Sequence, residues 1–404
     1  MSAWDLGRAE EHLLSLELFG MRFGLERMRR LLTVLGSPQE RFEAVHVVGT
    51  NGKSSTVRMT AAILEAAGVR TGSYLSPHLT SFAERIRIGD ADLPPDAFGA
   101  AIQRAAAAAA KVDRTLTGGE RVTQFELLTA AAFAELARRE VEVAVVEAGL
   151  GGRWDATNVL GAPVVVLTNV GLEHTRWLGP TIPDIAREKL AVVRRSQPPA
   201  TLVLGERQPE VEPLAAETGA TIVRPEPLDV GLPGYQRHNF EVAAAAARAI
   251  RAVGDEAVRA GALHAQVPGR LQIVGHDPLT MFDGAHNPSG VAALVGALPD
   301  RPVTAVVSIL DDKDATAMLR ALLPHCAGAV FTASTNRRAL SPATLASLAA
   351  QLGGPPAEVE PDPRRAVERA RALAGPDGAV VATGSIYLVA DLLSPPGARR
   401  VSVL

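Results

Sequence analysis

A glycine-rich turn between a β-branched run and an Ala-rich stretch constrains this chain more than any other feature. Val45–Val48 is followed by Gly49-Thr50-Asn51-Gly52-Lys53-Ser54-Ser55 and then by Thr56–Ala67, which Gly68 closes. The first run reads as a buried parallel strand and the last stretch as a helix. In that order, backbone N–H groups and the positive helix end converge on an anion, and Lys53 can reach terminal phosphates. Gly49 and Gly52 let the backbone turn tightly around oxygen atoms. The spacing is not that of the usual P-loop, because Val47 stands where a further Gly is expected. A plain glycine turn capped by Ser54 is the bland alternative. The strand–loop–helix order favours a nucleotide.

The rest of the chain repeats the α/β alternation. Val141–Val146 and Val164–Leu167 read as further buried strands, and Phe240–Ile250 as an Ala-rich helix. Beyond Gln266-Val267-Pro268-Gly269-Arg270, the pattern restarts. Candidate strands there are Leu279–Phe282, Val303–Val307, Ala329–Thr332 and Ala379–Ala382. Candidate helices are Ser289–Leu298, Ala315–Leu323, Pro342–Leu352, Arg364–Ala374 and Ile386–Leu393. The expected architecture is α/β: an N-terminal P-loop-type parallel-sheet ATPase domain over residues 1–267 and a smaller C-terminal Rossmann-like α/β domain over residues 268–404. A length of 404 residues suits such a division.

Composition narrows the partners. A net charge of −3 gives no bulk attraction to nucleic acid or anionic membrane, so any polyanion must be held locally. The single cysteine, Cys326, excludes an intrachain disulfide and suits a reducing cytoplasm. Met1–Asp5 lacks the basic-then-apolar pattern of a signal peptide. No apolar stretch is long enough to span a membrane.

Several residues carry chemistry. Glu147 ends a strand and leads into Ala148–Arg153. Strand C-termini line the ligand crevice of open parallel sheets, so its carboxylate is a candidate magnesium ligand. The competing reading pairs Glu147 with Arg153. His174, past the strand Val164–Leu167, and Ser76, in Tyr74-Leu75-Ser76-Pro77-His78, carry little weight alone.

The Gly-Thr-Asn-Gly-Lys loop resembles that of the Mur ligase superfamily. The strings Gly49–Lys53, Ser76-Pro77-His78-Leu79, Glu84-Arg85-Ile86-Arg87, Phe125-Glu126, Glu147–Asn158, Glu188-Lys189, Asp283-Gly284-Ala285-His286-Asn287-Pro288 and Thr383-Gly384-Ser385-Ile386-Tyr387-Leu388 occur in that order. Together they resemble the folylpolyglutamate synthase/dihydrofolate synthase family over nearly the whole chain. The resemblance implies ATP contacts at Gly49, Thr50, Asn51, Gly52, Lys53, Ser54, Ser55, Asn239, Arg270 and Asp283. It implies Mg²⁺, two ions, held by Ser76, Glu147, His174 and Lys189, the lysine as a carbamate. The chemistry agrees, since an ammonium repels Mg²⁺ and a CO₂ adduct supplies anionic oxygens. Pterin contacts map to Arg22, Phe23, Gly24, Thr123, Gln124, Phe125, Glu126, Trp154, Asp155 and Ala156. His286 and Ser385 map to positions that hold the incoming glutamate, and Ser385 opens a helix whose N-terminus suits a carboxylate. The family's Gln-x-x-Asn maps to Gln236 and Asn239, and Asn239 read alone is an N-cap for Phe240–Ile250. Two positions depart from the family: Ser54 replaces the usual Gly, and Tyr235 replaces the usual His.

The implied enzyme is a cytoplasmic monomer that takes ATP, L-glutamate and dihydropteroate or a reduced folate. The substrate carboxylate becomes an acyl-phosphate, which the glutamate amine then attacks. Lys53, Lys189, His174 and Arg270 are the expected catalytic residues, and domain closure assembles the site. A Mur-type ligase acting on a cell-wall precursor is the alternative within the class, and a nucleotide-gated binding protein the alternative outside it.

Overall fold

The computed structural model describes residues 3–16, 24–264 and 267–395. The chain divides into two compact units, Met1–Val230 with Arg237–Ala265, and Gly231–Gln236 with Gln266–Val403.

The first unit is built on an 8-stranded sheet. Its strands are β1 (Glu43–Val48), β2 (Thr71–Tyr74), β3 (Ile86–Ile88), β4 (Ala91–Asp92), β5 (Val143–Glu147), β6 (Val164–Leu167), β7 (Thr201–Leu204) and β8 (Thr221–Val223). Their spatial order is β4-β3-β2-β5-β1-β6-β7-β8. The six strands from β2 to β8 in that order are parallel, while β3 and β4 pair antiparallel at one edge. Val45, Val47, Val145 and Val165 are fully buried, as β-branched residues of a sheet covered on both faces should be. The chain leaves β1 toward β2 and β5 on one side, and β6 lies on the other. The loop after β1 therefore opens at a switch in strand order, where α/β sheets form their ligand crevice.

Strand pairing sets boundaries that local pattern misses. The expected strand Val141–Val146 is β5, Val143–Glu147, because its ladder with β1 runs from Glu43↔Val143 to Val47↔Glu147. Glu147 is thus the last residue of β5, at the strand end where the sequence puts it. The helix expected at Thr56–Ala67 is Lys53–Ala66, since Gly52 with φ 80 ends the loop directly before the lysine. The helix expected at Phe240–Ile250 spans Gly234–Ile250, so Asn239 lies inside it and does not cap it.

The second unit holds a 6-stranded sheet in the order β13-β12-β11-β14-β10-β9. The strands are β9 (Gln272–His276), β10 (Leu279–Phe282), β11 (Val303–Val307), β12 (Gly328–Phe331), β13 (Ala357–Val359) and β14 (Ala379–Thr383). All pairs are parallel except the β9–β10 hairpin. Helices Pro288–Val295, Ala315–Leu322 and Pro342–Gln351 follow β10, β11 and β12. Their apolar faces pack on Ala305, Val307, Ala329 and Phe331 in one core. Among the described residues no helix is long and apolar enough to cross a membrane.

Candidate active site

The loop after β1 is shaped by its neighbours. Gly49 has φ 154 and Gly52 φ 80. A Cβ on Gly49 would fall 1.8 Å from Thr168 Oγ1, and one on Gly52 2.5 Å from Asn239 Oδ1. Both positions therefore exclude a side chain, and Asn239 rests on the loop. The Thr50 N–H donates to the Asn169 carbonyl at 2.9 Å. The Asn51 N–H donates to Asn169 Oδ1 at 2.9 Å, and Thr168 Oγ1 donates to the Asn51 carbonyl at 2.7 Å. The exit of β6 thus preorganises the loop. Lys53 opens the helix and folds back, its Nζ donating to the Thr50 carbonyl at 3.2 Å. The hydroxyl of Ser55 is buried beneath the loop with no hydrogen-bond partner.

Glu147, 1% exposed at the end of β5, joins two of the sequence-predicted segments. Its Oε1 accepts from Ser54 Oγ at 3.1 Å, and its Oε2 accepts from the Ser76 N–H at 3.1 Å. Ser54, the departure from the family pattern, is therefore the link between the loop and this carboxylate. Arg85, fully buried, donates from Nε to His78 Nδ1 at 2.9 Å and lies 3.5 Å from Ser76 Oγ through Nη1. His174, with φ 52, opens the helical turn Thr175–Leu178, and its Nε2 lies 3.8 Å from the Glu173 carboxylate. Its loop is tied to the phosphate loop by the Gly171 N–H, which donates to Thr50 Oγ1 at 2.9 Å.

Lys189 is 4% exposed on the helix Ile182–Leu190, and its Nζ donates to the Gly49 carbonyl at 2.7 Å. Burial, and then the nearby Lys53 charge, pull its amine down to about 7. Among the described residues, no group of three or more His, Cys, Asp or Glu side chains gathers to hold a metal. A buried carboxylate beside a phosphate loop nevertheless fits Mg²⁺, which takes one or two protein carboxylates and completes its shell with phosphate oxygens and water.

The expected pterin residues divide. Arg22 and Phe23 lie outside the described residues. Thr123 and Glu126 cap the helix Gln124–Arg138, with the Thr123 N–H donating to Glu126 Oε2 at 2.9 Å, and Glu126 pairs with Arg27 at 3.1 Å. Gln124 donates to the Leu13 carbonyl at 2.8 Å. Phe125 and Asp155 flank Gly149, where a Cβ would lie 2.6 Å from Phe125 Cζ and 3.1 Å from Asp155 Oδ2. Asp155 accepts from the Leu150 N–H at 2.8 Å and the Thr157 N–H at 3.0 Å, and burial pushes its carboxyl above the ordinary range. Ala156 is buried, whereas Trp154 is 49% exposed.

In the second unit, the Gly384 N–H donates to the Ala285 carbonyl at 3.0 Å, which brings His286 and Ser385 onto adjoining segments. His286 Nδ1 donates to the Gly284 carbonyl at 2.9 Å, which fixes the ring's tautomer. Ser385 is the N-cap of Ile386–Leu393, accepting from the Tyr387 N–H at 3.1 Å. Arg270 donates to its neighbour's carbonyl, Gly269 O, at 3.0 Å. Asp283 Oδ1 accepts from the Ala285 N–H at 2.9 Å, and Oδ2 accepts from the Leu271 N–H at 2.9 Å and from the Tyr235 hydroxyl.

Sequence reasoning missed the supports: Thr168 and Asn169 under the loop, Arg85 behind Ser76, and Glu206, whose carboxylate takes the Val170 N–H. Thr168-Asn169 directly follow a buried strand, which is the one local signal that marked them.

A phosphate loop at the switch of a parallel sheet, a buried carboxylate bonded to it and a second α/β unit define an ATP-dependent carboxylate–amine ligase of the Mur type. Residues 269–386 match the Mur ligase, glutamate ligase domain family. The dihydrofolate synthase/folylpolyglutamate synthase of Mycobacterium tuberculosis is 35% identical over 82% of this chain and 78% of its own length. A probable bifunctional folylpolyglutamate synthase/dihydropteroate synthase of Haloferax volcanii is 35% identical over 95% of this chain, which spans 49% of that protein. Among solved structures, M. tuberculosis folylpolyglutamate synthase complexed with ADP superposes with a TM-score of 0.88 at 33% identity, covering 96% of this chain and 97% of that one. The Yersinia pestis bifunctional enzyme complexed with AMPPNP and Mn ion gives a TM-score of 0.86 at 30% identity, covering 96% and 97%. The chain belongs to the folylpolyglutamate synthase/dihydrofolate synthase family.

Proposed function

We propose that this ligase adds L-glutamate to dihydropteroate, to the glutamate tail of a reduced folate, or to both, at the expense of ATP. The observation that carries the reading is Glu147, which accepts from Ser54 of the phosphate loop and from the Ser76 N–H at once. That contact supports the reading because it puts a hard oxygen donor against the loop proposed to take the phosphates.

In this reading the loop N–H groups and Lys53 hold the β- and γ-phosphates, and Arg270 adds charge as phosphate develops it. Ser76, Glu147, His174 and Lys189, the lysine as a carbamate, are the residues that would hold Mg²⁺, two ions. The bound metal supplies charge neutralisation at the transferring phosphate. A substrate carboxylate oxygen attacks the γ-phosphorus, and the bond to ADP breaks. The glutamate nitrogen then attacks the acyl carbon, a C–N bond forms, the amine loses a proton and phosphate departs. Phe125, Trp154 and Asp155 receive the pterin, with the Asp155 carboxyl taking or sharing its ring N–H groups. His286 and Ser385 orient the incoming amino acid. The enzyme acts as a monomer in the cytoplasm.

Phosphate release from ATP, measured with glutamate and with dihydropteroate or a reduced folate supplied singly and together, tests the reading. Release that needs both substrates, with an amide product, is expected. Release with a cell-wall precursor in place of the pteroate would transfer the chain to the other branch of the class.

A further inference from the structure

We propose that Tyr235 is a positioning residue for phosphoryl transfer, acting through Asp283 to hold the Arg270 loop; the inference rests on the reading of Arg270 as a phosphate contact. The relevant groups all belong to the second unit. Asp283 follows β10 and is 1% exposed, and its own N–H donates to the Ala382 carbonyl at 2.9 Å, so it is a fixed point. Its Oδ2 accepts from the Tyr235 hydroxyl and from the Leu271 N–H, the latter at 2.9 Å. Leu271 has φ 48, a backbone state that a leucine holds only when its surroundings impose it. The residue before it is Arg270. The Asp283 oxygen that Tyr235 shares is therefore one of the contacts that hold this turn, beside the Arg270 N–H on the Val267 carbonyl at 3.1 Å and the Gly269 N–H on Gln272 Oε1 at 2.7 Å.

The phenol is also one of the donors that fill the Asp283 carboxylate beside Arg270. The Arg270 guanidinium lies against Gly284, where a Cβ would fall 2.2 Å from Nη1. Asp283 is the next residue, yet Arg270 donates to the Gly269 carbonyl at 3.0 Å and not to that carboxylate. Neutral donors, the Leu271 and Ala285 N–H groups and the Tyr235 hydroxyl, occupy the Asp283 oxygens instead. With the phenol gone, Asp283 Oδ2 would keep only the Leu271 N–H, and the turn that carries Arg270 would be held less firmly. Tyr235 packs against the apolar cluster that contains Leu271 and Leu294, so phenylalanine preserves the packing and removes the hydroxyl alone. Burial, and then the Asp283 charge, hold the phenol well above its ordinary value, so it remains a donor.

Steady-state kinetics and melting curves on Tyr235→Phe, Asp283→Asn, Arg270→Ala and the double variant Tyr235→Phe/Arg270→Ala test the proposal. Tyr235→Phe should lower kcat roughly tenfold while the glutamate KM stays within about twofold, the pattern of an interaction made in the transition state. The double variant should be no slower than Arg270→Ala alone, because both act on one charge. Should Tyr235→Phe melt early, Asp283→Asn carries the same test and must also lower kcat without adding to Arg270→Ala. Normal kcat for Tyr235→Phe, or effects that multiply in the double variant, while Arg270→Ala is impaired, would overturn the proposal. Normal turnover by Arg270→Ala would instead remove the phosphate reading on which it rests.

Discussion

Lys189 Nζ donates to the carbonyl of Gly49 at 2.7 Å, so the side chain of a distant helix touches the first glycine of the phosphate loop. The amine is buried and lies near the Lys53 charge, which together pull it down to about 7. Carbamate formation needs the neutral amine: nitrogen attacks CO₂, an N–C bond forms and one proton leaves. A ¹³CO₂ signal at Lys189 should therefore grow as pH rises through about 7. Lys189→Ala should lose activity, and short carboxylic acids should restore part of it. An active enzyme whose lysine stays unlabelled across that pH range would rule the carbamate out.

Glu147→Gln keeps the shape of the side chain and the acceptor for one serine while it removes the anionic donor. Turnover should fall, and the magnesium concentration for half-maximal activity should rise, by roughly tenfold or more, as for loss of a hard ligand. Wild-type behaviour across a magnesium titration would make Glu147 a structural acceptor for Ser54 and Ser76.

Lys53→Ala should leave the fold intact, because the side chain bonds only a loop carbonyl, Thr50 O, at 3.2 Å. Ligation should nearly vanish, since a lysine charge on a phosphate is worth several orders of magnitude in such transfers. Turnover close to normal in a folded variant would refute the nucleotide assignment.

Ser385→Ala and His286→Ala should raise the KM for glutamate more than that for ATP. Each removes one hydrogen bond to a charged group, about 1.5–3 kcal/mol, or roughly ten- to a hundredfold in binding. Ser385 also caps Ile386–Leu393, so its loss should cost about 1 kcal/mol of stability as well. The measurement is KM with each substrate varied in turn, beside a melting curve. Weakened ATP with unchanged glutamate would move the amino-acid site elsewhere.

The sequence alone determined the α/β class, the strand–loop–helix at Val45–Ala67, the restart of the pattern near Pro268 and the candidate residues carried by motif. These are legible because each rests on neighbours in the chain: apolar continuity, glycine at tight turns, a hydroxyl before a helix. Tertiary structure decided the rest. That Glu147, at the end of β5, stands in register with Val47 of β1, a partner about a hundred residues away in sequence, is set by the sheet. That Asn239 rests on Gly52, that Ser54 reaches Glu147 and that Tyr235 holds Asp283 depend on strand order and helix placement. Those relations are set by long-range packing and hydrogen-bond satisfaction, which no local window records. The departures at Ser54 and Tyr235 were readable only as differences, and they acquired physical meaning once their partners, Glu147 and Asp283, stood within hydrogen-bond reach.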